Sequence, residues 1–163
     1  MAMFVHLALE SRIKAIQRSG IRLARRPAPY PPGVFAMPVT RNFYVSHQWL
    51  RELRRRNQGP LVGVYFRIAD SELVTVGHYG KQPERMTAAE ATAVIMSCQA
   101  AEGYEIIVLR SIAPTEIHRV RRLPQVIGWR YHPGSHGKRP CGCPYCQRGQ
   151  YGARKLRDQY EKA

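Results

Sequence analysis

Acidic residues are scarce in this chain: 11 Asp and Glu stand against 26 Lys and Arg, a formal net charge of +15 on 163 residues. That imbalance argues against a polycationic partner and for a polyanionic one. Also missing is any apolar run of the roughly 20 residues needed to span a bilayer. The first ten residues, MAMFVHLALE, lack the charged start and long apolar stretch of a secretory signal, so a cytoplasmic location is expected. Cysteine is sparse, four in all, and in a cytoplasmic chain such cysteines point to metal ligation or to bystanders rather than to disulfides. Internal repeats and low-complexity segments are absent. Apolar material is not scarce: 44% hydrophobic residues, with 9% aromatic, exclude wholesale disorder. The length suits one domain, with at most a short appended module.

The charge is unevenly laid out. Residues 1–60 carry +9, residues 61–128 carry 0 and residues 129–163 carry +6. A neutral body between basic ends is expected, divided as a domain over 1–128 and a short basic unit over 129–163. Nucleic acid is the expected partner. A membrane is not, because no long basic helix with an exposed Trp, Phe or Leu face is evident.

Local patterns predict a mixed α+β domain. Phe4–Leu7 reads as a strand carrying His6, and Leu9, Ile13 and Ile16 predict a helix over 9–19 closed by Gly20. Arg22–Gly33 is too rich in proline for a regular element. Gly33–Val39 reads as a strand, and Asn42 as the cap of a helix running through Trp49, Leu50 and Leu53 to Arg54–Arg56. Leu61–Ala69 and Glu72–Tyr79 predict a hairpin about Asp70-Ser71. Thr87–Glu90 has capping-box form before a helix closed by Gly103, and Glu105–Ala113 reads as a buried strand. Pro114 is expected to open a helical turn carrying Ile117 and Val120, with a last strand over 124–131 and a basic helix over 147–163.

The densest constellation is Cys141-Gly142-Cys143-Pro144-Tyr145-Cys146. Three thiolates so close can wrap one soft ion, and zinc requires a fourth ligand, for which His136 is the first choice, ahead of His132 and Cys98. A structural zinc pinning the basic tail is expected; a reduced turn without metal is the alternative. Cys143–Cys146 also spells a glutaredoxin tetrapeptide, but too little chain follows to build that fold.

Three segments together resemble the ADP-ribosyltransferase superfamily, and most closely its DNA-targeting (DarT-type) toxin branch. They are Val5-His6 followed by a helix ending at Ser19-Gly20-Ile21; Gly33–Ala36 running to Thr40-Arg41-Asn42; and Tyr104–Val108 followed by Ile112-Ala113-Pro114 and Ile117. The spacing from His6 to Gly20 is also similar to tRNA 2′-phosphotransferases, which share that fold. The resemblance implies short strands in two packed sheets with flanking helices, NAD as substrate, and transfer of ADP-ribose to nucleic acid. It assigns His6 and Gly20 to the NAD ribose region, Arg41 to catalysis and Glu105 to the catalytic carboxylate. It also admits an antitoxin or immunity protein as a partner.

The chemistry suits those residue types. Cleaving the nicotinamide–ribose bond passes through an oxocarbenium-like state that a carboxylate stabilises. A carboxylate directly before a buried apolar strand, as at Glu105, must be solvated, paired or functional. Arg41 is expected to grip a phosphate of NAD or the acceptor's anionic group. Tyr44 is a candidate to stack on nicotinamide, or else a core aromatic; His78 and Tyr79 are further candidates to line the pocket, and Glu116 is the fallback carboxylate. The acceptor, single-stranded DNA or RNA, is expected to lie on Arg22, Arg25, Arg26, Arg54, Arg55, Arg56, Lys138, Arg139, Arg154 and Lys155, with Tyr30, Trp49 or Tyr151 available for stacking. The competing expectation, from a different class, is a non-catalytic zinc-stabilised nucleic-acid-binding protein.

Overall fold

The structure is a computed structural model that describes residues 1–24, 31–79 and 81–129, the side chains of Arg55 and Arg56 excepted. In chain order the described residues form β1 (Ala2–Leu9), α1 (Ile13–Ser19), β2 (Val34–Pro38), α2 (Phe43–His47), α3 (Leu50–Arg56), β3 (Leu61–Ile68), β4 (Leu73–His78), β5 (Glu84–Thr87), α4 (Ala88–Ser97), β6 (Tyr104–Val108) and β7 (Ile117–Arg122). The α+β expectation holds. No helix among these residues is long and apolar enough to cross a membrane.

The strands pair antiparallel throughout in the order β5-β4-β6-β2-β1-β3-β7. Where two packed sheets were expected there is one continuous sheet of seven strands. The reason lies in β2. Its first three residues, Val34–Ala36, pair with β6, whereas Met37 and Pro38 pair with Val5 and Phe4 of β1. One short strand therefore serves both halves, and the sheet is split along its length on either side of it.

Hydrophobic burial holds the sheet together. Phe4 and Phe66 are fully buried and stack at 6.0 Å between centroids. They join Val64, Ile68, Ile106 and Val108 in a core that takes in Ala88, Ala91 and Ile95 of α4. The capping box of α4 is formed: the Thr87 hydroxyl accepts from the Glu90 amide at 3.3 Å, and the Thr87 amide donates to the Glu90 carboxylate at 2.8 Å.

Several local expectations change. The apparent hairpin does not form, because β3 lies between β1 and β7 while β4 lies between β5 and β6. β3 is buried at seven of its eight positions, so both of its edges need partners, and a single hairpin neighbour supplies one. Leu9 belongs to β1 through its pairing with Leu61, which delays α1 until after a turn over Glu10–Arg12. The helix capped by Asn42 is two helices, joined at Gln48 and Trp49. Ile117 and Val120 lie on a strand, β7, because β3 offers them a free edge. Helix α4 ends at Ser97, short of Gly103, and residues 124–129 are not a strand.

Gly20 has a structural reason to be glycine. Its φ is +76°, and a β-carbon there would strike the Ile112 carbonyl oxygen, where Ile21 and Ile112 exchange backbone hydrogen bonds at 2.9 Å each. Gly20→Ala is expected to cost about 2 kcal/mol or more, through strain and displacement of that bridge. The melting temperature should fall by roughly 5 °C or more.

Candidate active site

The split in the sheet makes a site. Backbone pairing between β1 and β2 stops at Val5 and Met37. At the next residue of β1 the His6 Nδ1–H donates to the Phe35 carbonyl at 2.7 Å, a side chain standing in for the missing ladder bond. Because a carbonyl can only accept, Nδ1 carries the proton and Nε2 is left as an acceptor. Burial lowers the pKa of His6, and its bond to Phe35 offsets that only partly, so the ring is neutral at pH 7.

A cavity of about 240 Å³ opens here between the split sheet and α2–α3. His6, Phe35 and Glu105 line it from the sheet, Ser46, Trp49 and Glu52 from the helices, and Tyr79 from the loop after β4. Glu105 is 7% exposed and Glu52 is 3% exposed, so two buried acidic residues contribute to the wall of one cavity. Among the described residues no three His, Cys, Asp or Glu side chains lie close enough to share a metal ion. The described wall contains no Lys or Arg. Trp49 and Tyr79 form an aromatic side, with ring centroids 5.5 Å apart, and Trp129 meets Trp49 edge-on at 5.4 Å.

The segment that presents Glu105 is clamped by Gln48. This side chain is fully buried; its Nε2 donates to the Ala101 carbonyl at 2.8 Å and its Oε1 accepts from the Gly103 amide at 2.7 Å. The Gln48 carbonyl accepts from the Trp129 amide at 2.7 Å, and Trp49 Nε1 donates to the Tyr104 carbonyl at 2.7 Å. The junction of α2 and α3 thus holds both sides of the chain entering β6. Gly103, at φ +82°, permits the turn, and a β-carbon there would meet the His78 ring at 2.5 Å.

Of the site residues expected from sequence, His6 and Glu105 converge on this cavity although they are far apart in the chain, and Tyr79 joins them. Arg41, Tyr44 and Gly20 are not in its described wall. Arg41 is exposed just ahead of the Asn42 cap of α2. Burial, with Glu102 adding to it and Arg51 opposing it, pushes the Tyr44 phenol up to about 12, as for a packed aromatic. Glu116 is committed elsewhere: it bonds Arg110 at 2.6 and 2.7 Å and the Ala113 amide at 2.8 Å, and the Arg110 guanidinium holds its pKa low. His78 packs against Tyr104 and Trp129. Arg22 is exposed, two residues before the lining residue Ala24, and Arg54 is exposed and bonds Gln125 at 3.1 Å. Cys98, the reserve zinc ligand, lies at the end of α4, half-buried against the core. Cys141, Cys143, Cys146, His136, His132, Arg25, Arg26, Tyr30, Lys138, Arg139, Tyr151, Arg154 and Lys155 lie outside the described residues, as do the side chains of Arg55 and Arg56.

Sequence reasoning missed Glu52. It sits in Arg51-Glu52-Leu53-Arg54-Arg55-Arg56, where a glutamate among arginines looks like a partner in surface ion pairs along a helix. The one available signal was that the first sixty residues hold only two acids.

The chain is therefore an α+β protein with an aromatic, carboxylate-lined cavity at a sheet split. No protein-family model matches it, and no curated protein or solved structure does either.

Proposed function

We propose that the protein is an NAD-dependent ADP-ribosyltransferase whose acceptor is a nucleic acid. The observation that carries this reading is the meeting of His6 and Glu105 in one cavity with an aromatic wall. The resemblance in sequence named those two residues together, and nothing in their separation along the chain requires them to meet.

The cavity is smaller than the roughly 300 Å³ at which drug-sized pockets begin, so it suits the nicotinamide–ribose end rather than the whole dinucleotide. Trp49 and Tyr79 would flank the cationic pyridinium ring. Neutral His6 would accept a ribose hydroxyl at Nε2, a positioning role. Glu105 would accept a hydrogen bond from the ribose at the reacting end and stabilise the positive charge that grows as the C1′–N bond breaks and its electron pair leaves with nicotinamide. The acceptor's oxygen or nitrogen then bonds C1′, and its proton passes to Glu105 or to water. A buried carboxylate on the wall beside that carbon favours the positive charge that develops there. Arg22, exposed two residues before Ala24 of the wall, would meet the pyrophosphate, and zinc held by Cys141, Cys143, Cys146 and His136 would brace the basic tail.

A thermal-shift series separates this reading from the zinc-stabilised binder. NAD at about 100 times its Kd should stabilise the wild-type protein by about 2.7 kcal/mol and the His6→Ala protein less. No shift with NAD, together with salt-sensitive oligonucleotide binding that a chelator abolishes, would favour the binder.

A further inference from the structure

We infer that single-stranded nucleic acid is held on the β3–β7 edge of the sheet, by Arg119 and Arg121 with Phe43 as a stacking platform. This rests on the nucleic-acid acceptor proposed above and moves it to a surface the chain's charge count hides. Residues 61–128 sum to zero charge, yet four of their seven bases gather on two neighbouring strands. Lys81, Arg85 and Arg110 lie among the acids Glu72, Glu84, Glu90 and Glu116, on or beside β4, β5, α4 and the turn before β7, and Arg110 pairs with Glu72 and Glu116. Arg67, Arg119, Arg121 and Arg122, by contrast, all lie on β3 and β7.

The pairing register places these arginines on the face that carries the cavity. Directly paired residues of a sheet share a face. Met37 pairs with Val5, Val5 with Tyr65 and Tyr65 with Arg119; on the next rung Leu7 pairs with Gly63 and Gly63 with Arg121. On β2, Phe35 shares that face with Met37, and it pairs with Ile107, two residues along β6 from Glu105. Arg67 follows Tyr65 on the same side of β3. Two strand spacings, about 10 Å, separate β7 from the cavity-lining stretch of β1.

A chain of contacts joins the arginines to an exposed aromatic. The Arg119 guanidinium lies over the Tyr65 ring, 4.9 Å from its centroid. The Tyr65 hydroxyl donates to His47 Nε2 at 2.8 Å, and His47 stacks on Phe43 at 4.0 Å. Phe43 is 43% exposed, and Arg41 stands exposed two residues before it. Arg67, Arg119 and Arg121 are exposed and have no acidic partner among the described residues, unlike Arg122, which bonds Glu10 at 2.8 Å. Fixed cations beside an exposed ring, at the open edge of a sheet, match the charge and stacking needs of a flexible polyanion with planar bases. Each phosphate held here displaces a counterion, and each stacked base is read without sequence preference.

The test uses the full-length chain without NAD and fluorescent 12-nucleotide single strands of DNA and RNA, read by anisotropy from 50 to 200 mM salt. Arg119→Glu/Arg121→Glu should weaken binding about tenfold or more and reduce the slope of log K against log salt by roughly 1.4. Phe43→Ala should weaken it about tenfold with the slope unchanged. Lys81→Glu/Arg85→Glu, on or beside the opposite edge at β5, makes the same change in net charge and should cost about threefold or less. Equal losses from the two double reversals, or tight binding to phosphatidylserine vesicles with none to oligonucleotides, would overturn the assignment. The reversed basic positions are exposed, so circular dichroism melts of both double reversals should match wild type. Phe43→Ala, which loses the stack on His47, is read at a temperature where its melt shows it fully folded. NAD-induced stabilisation should be unaffected in every variant, so loss of that stabilisation alone strikes the transferase reading and leaves the surface standing.

Discussion

Glu105→Gln is expected to reduce ADP-ribosyl transfer by about 10²–10³-fold or more while leaving NAD-induced stabilisation within a few-fold of wild type. The substitution keeps size and hydrogen-bonding capacity but removes the negative charge beside the reacting carbon. Ground-state NAD carries its positive charge on the pyridinium ring, and cleavage moves that charge onto the ribose carbon beside Glu105. The transition state thus gains more than the ground state from a carboxylate that is 7% exposed and poorly screened by water. The loss should therefore fall on kcat rather than on binding. Quantifying released nicotinamide under saturating NAD checks this. Glu52→Gln is the companion variant. Glu52 lines the wall from α3, whereas the resemblance assigns the reacting carbon to Glu105, so Glu52 would contribute field alone and a smaller loss, about tenfold, is expected. If the two losses were exchanged, Glu52 would be the carboxylate at the reacting carbon.

The second large effect is on stability. Gln48→Leu fills the same space with apolar atoms but leaves the Ala101 carbonyl and the Gly103 amide without their partner. Each orphaned buried group costs about 1–3 kcal/mol, so a loss of about 2–6 kcal/mol is expected, a large share of a domain's whole stability. Thermal and urea melts followed by circular dichroism should show it as a drop of roughly 5–15 °C. These bonds also hold the entry to β6, so the variant should lose transfer activity at temperatures where it is still folded. An unchanged melting temperature would mean that the clamp contributes nothing.

How far the sequence foretold this arrangement differs from element to element. The Asn42 cap and the Thr87–Glu90 box were legible because capping is local: a side chain of fixed type bonds amides two or three residues away. The run of apolar residues in β3 was legible as a strand, but its neighbours were not, since pairing with β1 and β7 depends on segments more than fifty residues distant. β7 itself looked helical because Ile117 and Val120 suit either period over so short a stretch. In the site, His6 and Glu105 carried a recognisable order along the chain. Glu52 and the Gln48 clamp carried none, because a glutamine's two buried hydrogen bonds have no sequence signature. The basic edge was obscured by arithmetic: seven acids cancel seven bases in residues 61–128, and only the pairing of β3 with β7 shows that four of those bases share one edge of the sheet.

The most direct test of the central claim is mass spectrometry of single-stranded DNA and RNA oligonucleotides incubated with NAD and the full-length protein. The expected result is addition of one ADP-ribose to an oligonucleotide, with stoichiometric release of nicotinamide and with no addition by Glu105→Gln. An unmodified pool with wild-type protein, or modification that Glu105→Gln supports equally, would contradict the assignment of this cavity to ADP-ribosyl transfer.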